Sequence, residues 1–221
     1  MNVIKALEQR KSTRAFLSKE VEQEKINTIL NAARHAPSGT NTQPWQVAVV
    51  TGEAKIKLQT KIEEAFRAGD KGNADYTYYP DEWQQPYASR RKECGLLMYK
   101  TLGIRREDKE RQINQWAANY RAFDAPVLLL FFMDDVMQTG SYIDYGMFLQ
   151  SVMLAAVDQG LATCAQASIA DYPVIIKAEL AYPEETVLLC GMALGYEDND
   201  ALVNSYRTSR EDVDSFTRYF K

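Results

Sequence analysis

Apolar residues fall at positions 26, 29, 30 and 33 (Ile, Ile, Leu, Ala), a spacing of three and four that predicts a helix over 21–35 with one buried stripe. Pro37 marks its end. Val47, Val49 and Val50 then predict a strand over 46–51, and Ile56, Leu58, Ile62, Ala65 and Phe66 restore helical spacing over 53–68. From 69 to 93 the pattern breaks into Gly, Asp and Pro interleaved with aromatics, which predicts an active-site lid or wall rather than a linker. Two helices follow, over 90–102 and 107–121. The run Val127, Leu128, Leu129, Leu130, Phe131, Phe132 has no alternation and predicts a strand covered on both faces. Ile143, Met147, Leu154, Val157 and Leu161 predict one buried face of a long central helix ending at Gly160. The rest reads as an extended piece at 162–165, a helix at 173–180, a strand at 186–194 and a polar tail.

Strands between helices, with apolar strands needing cover on two sides, place the chain in the α+β class: a central mixed, mainly antiparallel sheet flanked by helices. Its 221 residues, 46% of them hydrophobic, are read as a single domain, 1–221, and no repeat interrupts them.

Charge removes some functions. A net charge of -4 disfavours nucleic acid, which needs a basic face. No apolar run would span a bilayer, so no membrane role is expected and the cytoplasm is the expected compartment. Three dispersed cysteines, Cys94, Cys164 and Cys190, form neither a metal pattern nor a disulfide framework and are expected to be reduced and mostly buried. The single histidine, His35, leaves no imidazole-rich metal site, and none is expected.

Four segments carry candidate chemistry. Arg10, Lys11, Ser12 and Arg14 gather three cations and a hydroxyl. A phosphate monoester would fit there, although alone the cluster reads as a solvated helix end. Pro37, Ser38, Gly39 and Asn41 lie in a run of small hydrogen-bonding residues, equally good as an ordinary turn or as backbone laid against a flat ligand. Ala165, Gln166, Ala167 and Ser168 would let backbone approach a planar ring, or simply connect strand to helix. Arg207 and Arg210 repeat the cationic chemistry near the far end of the chain.

Taken together, these segments resemble the nitroreductase family of flavoproteins. Residues 10–16 (Arg-Lys-Ser-Thr-Arg-Ala-Phe) match its Arg-x-Ser-x-Arg-x-Phe opening, and residues 36–45 (Ala-Pro-Ser-Gly-Thr-Asn-Thr-Gln-Pro-Trp) match Ala-Pro-Ser-x-x-Asn-x-Gln-Pro-Trp. The resemblance implies an intertwined homodimer with an FMN site at each end of the interface. It implies that Arg10, Lys11, Ser12, Arg14 and Arg210, with Arg207, hold the FMN phosphate and ribityl chain. Pro37, Ser38, Gly39 and Asn41 would reach the partner's flavin, Ala165, Gln166, Ala167 and Ser168 would lie under the ring, and the 197–221 tail would pack on the partner. The implied activity is FMN-dependent transfer from NADH or NADPH to nitroaromatics, quinones or related acceptors by a ping-pong cycle, with no catalytic side chain because the flavin carries the chemistry. Tyr76, Trp83, Tyr87 and Phe123 are the expected acceptor-stacking residues. Reductive dehalogenation, or a flavin-binding redox module without turnover, stays open at this point. The family's Pro-x-Glu-Gly under the flavin is replaced here by residues 165–168, and its pyrimidine-binding asparagine and lysine have no clear match in 69–93.

Overall fold

A computed structural model describes residues 1–221. Its helices are α1 (Val3–Gln9), α2 (Gln23–Ala33), α3 (Gly52–Arg67), α4 (Tyr87–Thr101), α5 (Lys109–Ala117), α6 (Gly140–Asp158), α7 (Pro173–Leu180) and α8 (Val213–Phe216). The strands are β1 (Gln46–Thr51), β2 (Val127–Asp134), β3 (Ala162–Gln166) and β4 (Thr186–Gly195), ordered β1-β2-β4-β3 and antiparallel throughout. The expected parallel element is a single bridge between Ser12 and Thr163.

β2 behaves as its apolar run demands: every residue from 127 to 133 is buried. Side chains alternate between the sheet's faces. Leu128, Leu130 and Phe132 meet Leu58 and Ile62 of α3 and Ile176 of α7, while Leu129, Phe131 and Met133 meet Ile26 and Ile29 of α2 and Tyr145, Phe148 and Val152 of α6. Each such side chain contributes about 1.5–3 kcal/mol when fully buried. Tyr145 also ties α6 to the sheet, because its hydroxyl accepts from the Gln46 amide at 2.9 Å and donates to the Phe132 carbonyl at 2.5 Å.

The buried face of α6 differs from the expected one. Tyr145, Phe148, Val152 and Ala156 face the core, whereas Ile143 is 70% exposed and Met147 is also exposed. The helix is apolar nearly all round, so spacing alone does not fix which stripe turns inward. The cysteine expectation holds for Cys164 and Cys190; Cys94, on α4, is exposed. No helix is long and apolar enough to cross a membrane.

β3 continues into a short 3-10 turn over residues 167–171. That turn lies hard against β4 at Gly191, where a Cβ would stand 2.8 Å from Ile169 Cγ1. Only hydrogen fits there, so residues 165–168 are pinned at the sheet edge.

Candidate active site

The two ends of the chain meet beside β3. α1 stops at Gln9, and the following segment runs extended, with the Thr13 amide donating to the Thr163 carbonyl at 3.0 Å. Buried Asn204 then clasps this segment to the tail. Its Oδ1 accepts from the Arg14 amide at 2.8 Å, and its Nδ2 donates to the carbonyls of Ala15 and Asp198, both at 2.8 Å. Arg207 and Arg210 are thereby carried to Arg10.

The result is a cleft of 480 Å³ whose polar lining includes Arg10, Lys11, Ser12, Arg14, Arg207 and Arg210. None of the four arginines pairs with a carboxylate. Burial, and then the nearby charges of Arg210 and Arg207, push the Arg10 pKa down. Four guanidinium groups left unpaired beside a single lining carboxylate, Glu8, make a site for an external anion. Within the set the roles divide. Lys11 is engaged by Glu197 at 2.6 Å and by the Asn204 carbonyl at 2.7 Å. Arg207 donates to the carbonyls of Glu8, Gln9 and Arg10, closing the end of α1. The Arg14 guanidinium makes only long bonds, 3.3 Å each, to the Ser12 carbonyl and the Tyr206 hydroxyl.

Arg14 also lines a second cleft, of 580 Å³, with Lys71, Trp116, Gln166, Ala167, Ser168 and Asp171. Gln166 is only 3% exposed. Its Nε2 donates to the Asn119 carbonyl at 2.6 Å, while Oε1, an acceptor, and Ser168 Oγ are buried without a partner within the chain. Burial pushes the Asp171 carboxyl up. A cation-rich cleft joined through one arginine to a slot with unmet polar atoms suits a ligand with a phosphate at one end and a polar ring at the other. FMN is such a molecule, and these residues fit it.

The four expected stacking residues do not converge. Phe123 lines the second cleft but is a core residue, 4% exposed. Tyr76 lines a third cleft of 630 Å³ across residues 165–167, with its ring 5.3 Å from that of Tyr142 and its hydroxyl donating to Leu189. Trp83 and Tyr87 line none of these three clefts; they pack beside Arg91 and Arg90. The 69–93 segment is anchored near its start, with the Asn73 amide donating to the Asp171 carbonyl at 2.8 Å and Asp75 both pairing with Lys177 at 3.1 Å and accepting from the Leu188 amide. Sequence reasoning missed Lys71, Trp116, Asn119 and Asp171, which long-range bonds rather than local patterns bring to the cleft.

Pro37, Ser38, Gly39 and Asn41 line none of the three clefts of their own chain. Their turn is held by the Gly39 amide on Asp144 Oδ1 at 3.1 Å and by the Gln43 amide on Ser38 Oγ at 2.9 Å. Thr40, Asn41 and Gln43 all have positive φ, at 49°, 61° and 50°.

Comparison with known proteins agrees with this geometry. The family model described as the nitroreductase family matches residues 7–196. Nitrobenzene nitroreductase of Ectopseudomonas oleovorans is 37% identical over 211 residues, covering 95% of this chain and 93% of that protein. The FMN- and NADPH-dependent nitroreductase NfnB from Sphigopyxis sp. strain HMH superposes with a TM-score of 0.97 at 37% identity, over 100% of both chains. The FMN-dependent nitroreductase NfnB from Mycobacterium smegmatis, solved in complex with NADPH, does so with a TM-score of 0.93 at 32% identity, again over 100% of both.

Proposed function

The chain belongs to the nitroreductase family, and we propose that it is an FMN-dependent oxidoreductase that carries reducing equivalents from NADH or NADPH to nitroaromatics, quinones or related acceptors. The observation that carries this reading is the cleft of four arginines without carboxylate partners, joined through Arg14 to the slot beside residues 165–168. Bound FMN supplies a planar ring able to accept and return a hydride, so the chain needs no nucleophile of its own.

The residues then have distinct tasks. Arg10, Arg14 and Arg210, with the Ser12 hydroxyl, hold the phosphate; Lys11 and Arg207 brace the segment that presents them. Small side chains at Ala165, Ala167 and Ser168 allow the ring close to the backbone, and Gln166 Oε1 accepts a hydrogen bond from the bound cofactor. Lys71 and Arg14 put positive charge at the slot, which favours a reduced, negatively charged ring. Trp116 and Tyr79 line the same slot and offer aromatic faces. Donor and acceptor occupy one place in turn, in a ping-pong order, and catalysis rests on positioning.

Pro37, Ser38, Gly39 and Asn41 complete the site of a second copy in a homodimer. Exposed Ile143 and Met147 on α6, and Phe216, Tyr219 and Phe220 in the 197–221 tail, support this, since such apolar surface marks an interface. The absence of any disulfide among the three cysteines fits a reducing, cytoplasmic setting.

The test is a spectrum and a titration. Purified protein should be yellow and oxidise reduced nicotinamide only with an acceptor present. Arg10→Ala with Arg14→Ala removes two charge-assisted contacts worth about 1.5–3 kcal/mol each, so the FMN Kd should rise at least about a hundredfold. Protein that is colourless and takes up no added FMN would overturn the assignment.

A further inference from the structure

The segment after α1 has a second side. Ser12 and Arg14 line the phosphate cleft, while Thr13, between them, lines a smaller cleft of 230 Å³ with Arg10, Lys11, Leu161, Thr163 and Glu197. This is the alternation of an extended strand. Thr13 is 0% exposed and Thr163 2%. Their hydroxyls and Arg10 Nε are buried without a hydrogen-bond partner within the chain, whereas Glu197 Oε1 is met by Lys11 Nζ. Such concentration at one place is unusual, because buried polar atoms are ordinarily paired.

The charges facing this cleft decide what it takes. Lys11 and Glu197 lie 2.6 Å apart and cancel. Arg10 remains as a surplus cation, crowded by Arg207 and Arg210. Its Nε can only donate, and both threonine hydroxyls can donate with it. Val157 and Leu161 supply an apolar wall, which disfavours large, strongly hydrated anions. We propose that this cleft binds a small monovalent anion of the halide class, seated between Arg10 Nε and the hydroxyls of Thr13 and Thr163. Arg10 lines both clefts, so on the FMN reading given above the small anion and the flavin phosphate draw on one cation and oppose each other's binding.

Two measurements on the FMN-loaded protein and its flavin-stripped form test this. Crystals grown in sodium bromide and measured at the bromine edge should show an anomalous peak in hydrogen-bond contact with both threonine hydroxyls, and Thr13→Val with Thr163→Val should remove it. Ordered water alone at this place, with bromide only at other surface cations, overturns the proposal. At constant ionic strength, replacing gluconate by chloride should raise the FMN Kd roughly three- to tenfold in the wild-type chain and leave the double variant unmoved. Equal weakening in both would refute the coupling. Failure of the chain to bind FMN at all would refute the function proposed above, and the bromide measurement, which does not need flavin, would still decide this site.

Discussion

Gly72 packs against the Asp171 backbone beside the second cleft, and replacing it by alanine should push the two segments apart. The residue has φ of +68°, and a Cβ there would stand 1.9 Å from the Asp171 carbonyl oxygen and 2.6 Å from its carbon. An ordinary contact needs roughly 3.5 Å, so the two segments must part by about 1.5 Å. Parting breaks the 2.8 Å bond from the Asn73 amide to the Asp171 carbonyl. Left-handed backbone costs alanine about 1–2 kcal/mol and the lost bond about 1–1.5 kcal/mol more, giving a total near 3 kcal/mol. For a chain of this length that lowers Tm by about 6–12 °C. Gly103→Ala is the control: φ is +59° but nothing lies within 4 Å of the added carbon, so only the backbone cost applies. Because Lys71 and Asp171 both line the slot, Gly72→Ala should also weaken FMN binding, and Gly103→Ala should not. Thermal unfolding and flavin titration of both variants check this. If Gly72→Ala unfolds within about 0.5 kcal/mol of Gly103→Ala, the steric reasoning is wrong.

Tyr145→Phe removes the hydroxyl that joins α6 to β1 and β2 and should cost about 1–3 kcal/mol, seen as a lower denaturant midpoint with an unchanged slope. Burial raises the folded-state pKa of Asp171, so the folded chain holds that proton more tightly than the unfolded one. Stability from this group is therefore greatest in acid and falls as pH rises from the ordinary carboxylate range through the raised value. Relative to wild type, Asp171→Asn should gain stability at neutral pH, and the gain should vanish on acidification; a gain independent of pH would contradict the burial argument. Ile143→Asp should yield monomers by sedimentation and lose FMN with the dimer, and a folded monomer that kept its flavin would refute the shared site.

How far the sequence reached depended on whether local spacing carried the information. α2 showed its stripe because its outer face is polar, and β2 announced itself because both faces are covered. α6 did not, since Ile143 and Met147 are as apolar as the Phe148 and Val152 that turn inward. Residues 10–14 and 36–45 were legible as motifs, yet their division of labour was not: that Lys11 is held by Glu197 and Arg207 by the end of α1 depends on the tail folding back across the chain. Lys71 and Asp171 meet through the Asn73 bond to the Asp171 carbonyl, a contact no periodicity encodes. Trp83 and Tyr87 were chosen for residue type, and type does not encode that they pack beside Arg91 and Arg90 rather than in one of the three clefts of their own chain.

The segment 37–41 links assembly to the cofactor through one helix. Its shape is costly for a lone chain, because Thr40, a β-branched residue, sits with positive φ beside Asn41 and Gln43 in the same state. Besides the Gln43 bond to Ser38 Oγ within the turn, what ties it to the rest of the chain is Asp144, whose carboxylate accepts from the Gly39 amide. Asp144 is buried and its neighbour Ile143 is exposed, so a single turn of α6 both fixes the segment from within and offers the apolar surface that a second copy would cover. A partner docking on Ile143 must then meet residues 37–41 already in their final conformation, without an ordering cost at that moment. In the proposed dimer, pairing of the subunits and completion of the flavin site are therefore one event, and Asp144→Ala, which loosens the segment while leaving Ile143 in place, should weaken FMN binding more than it weakens dimerisation.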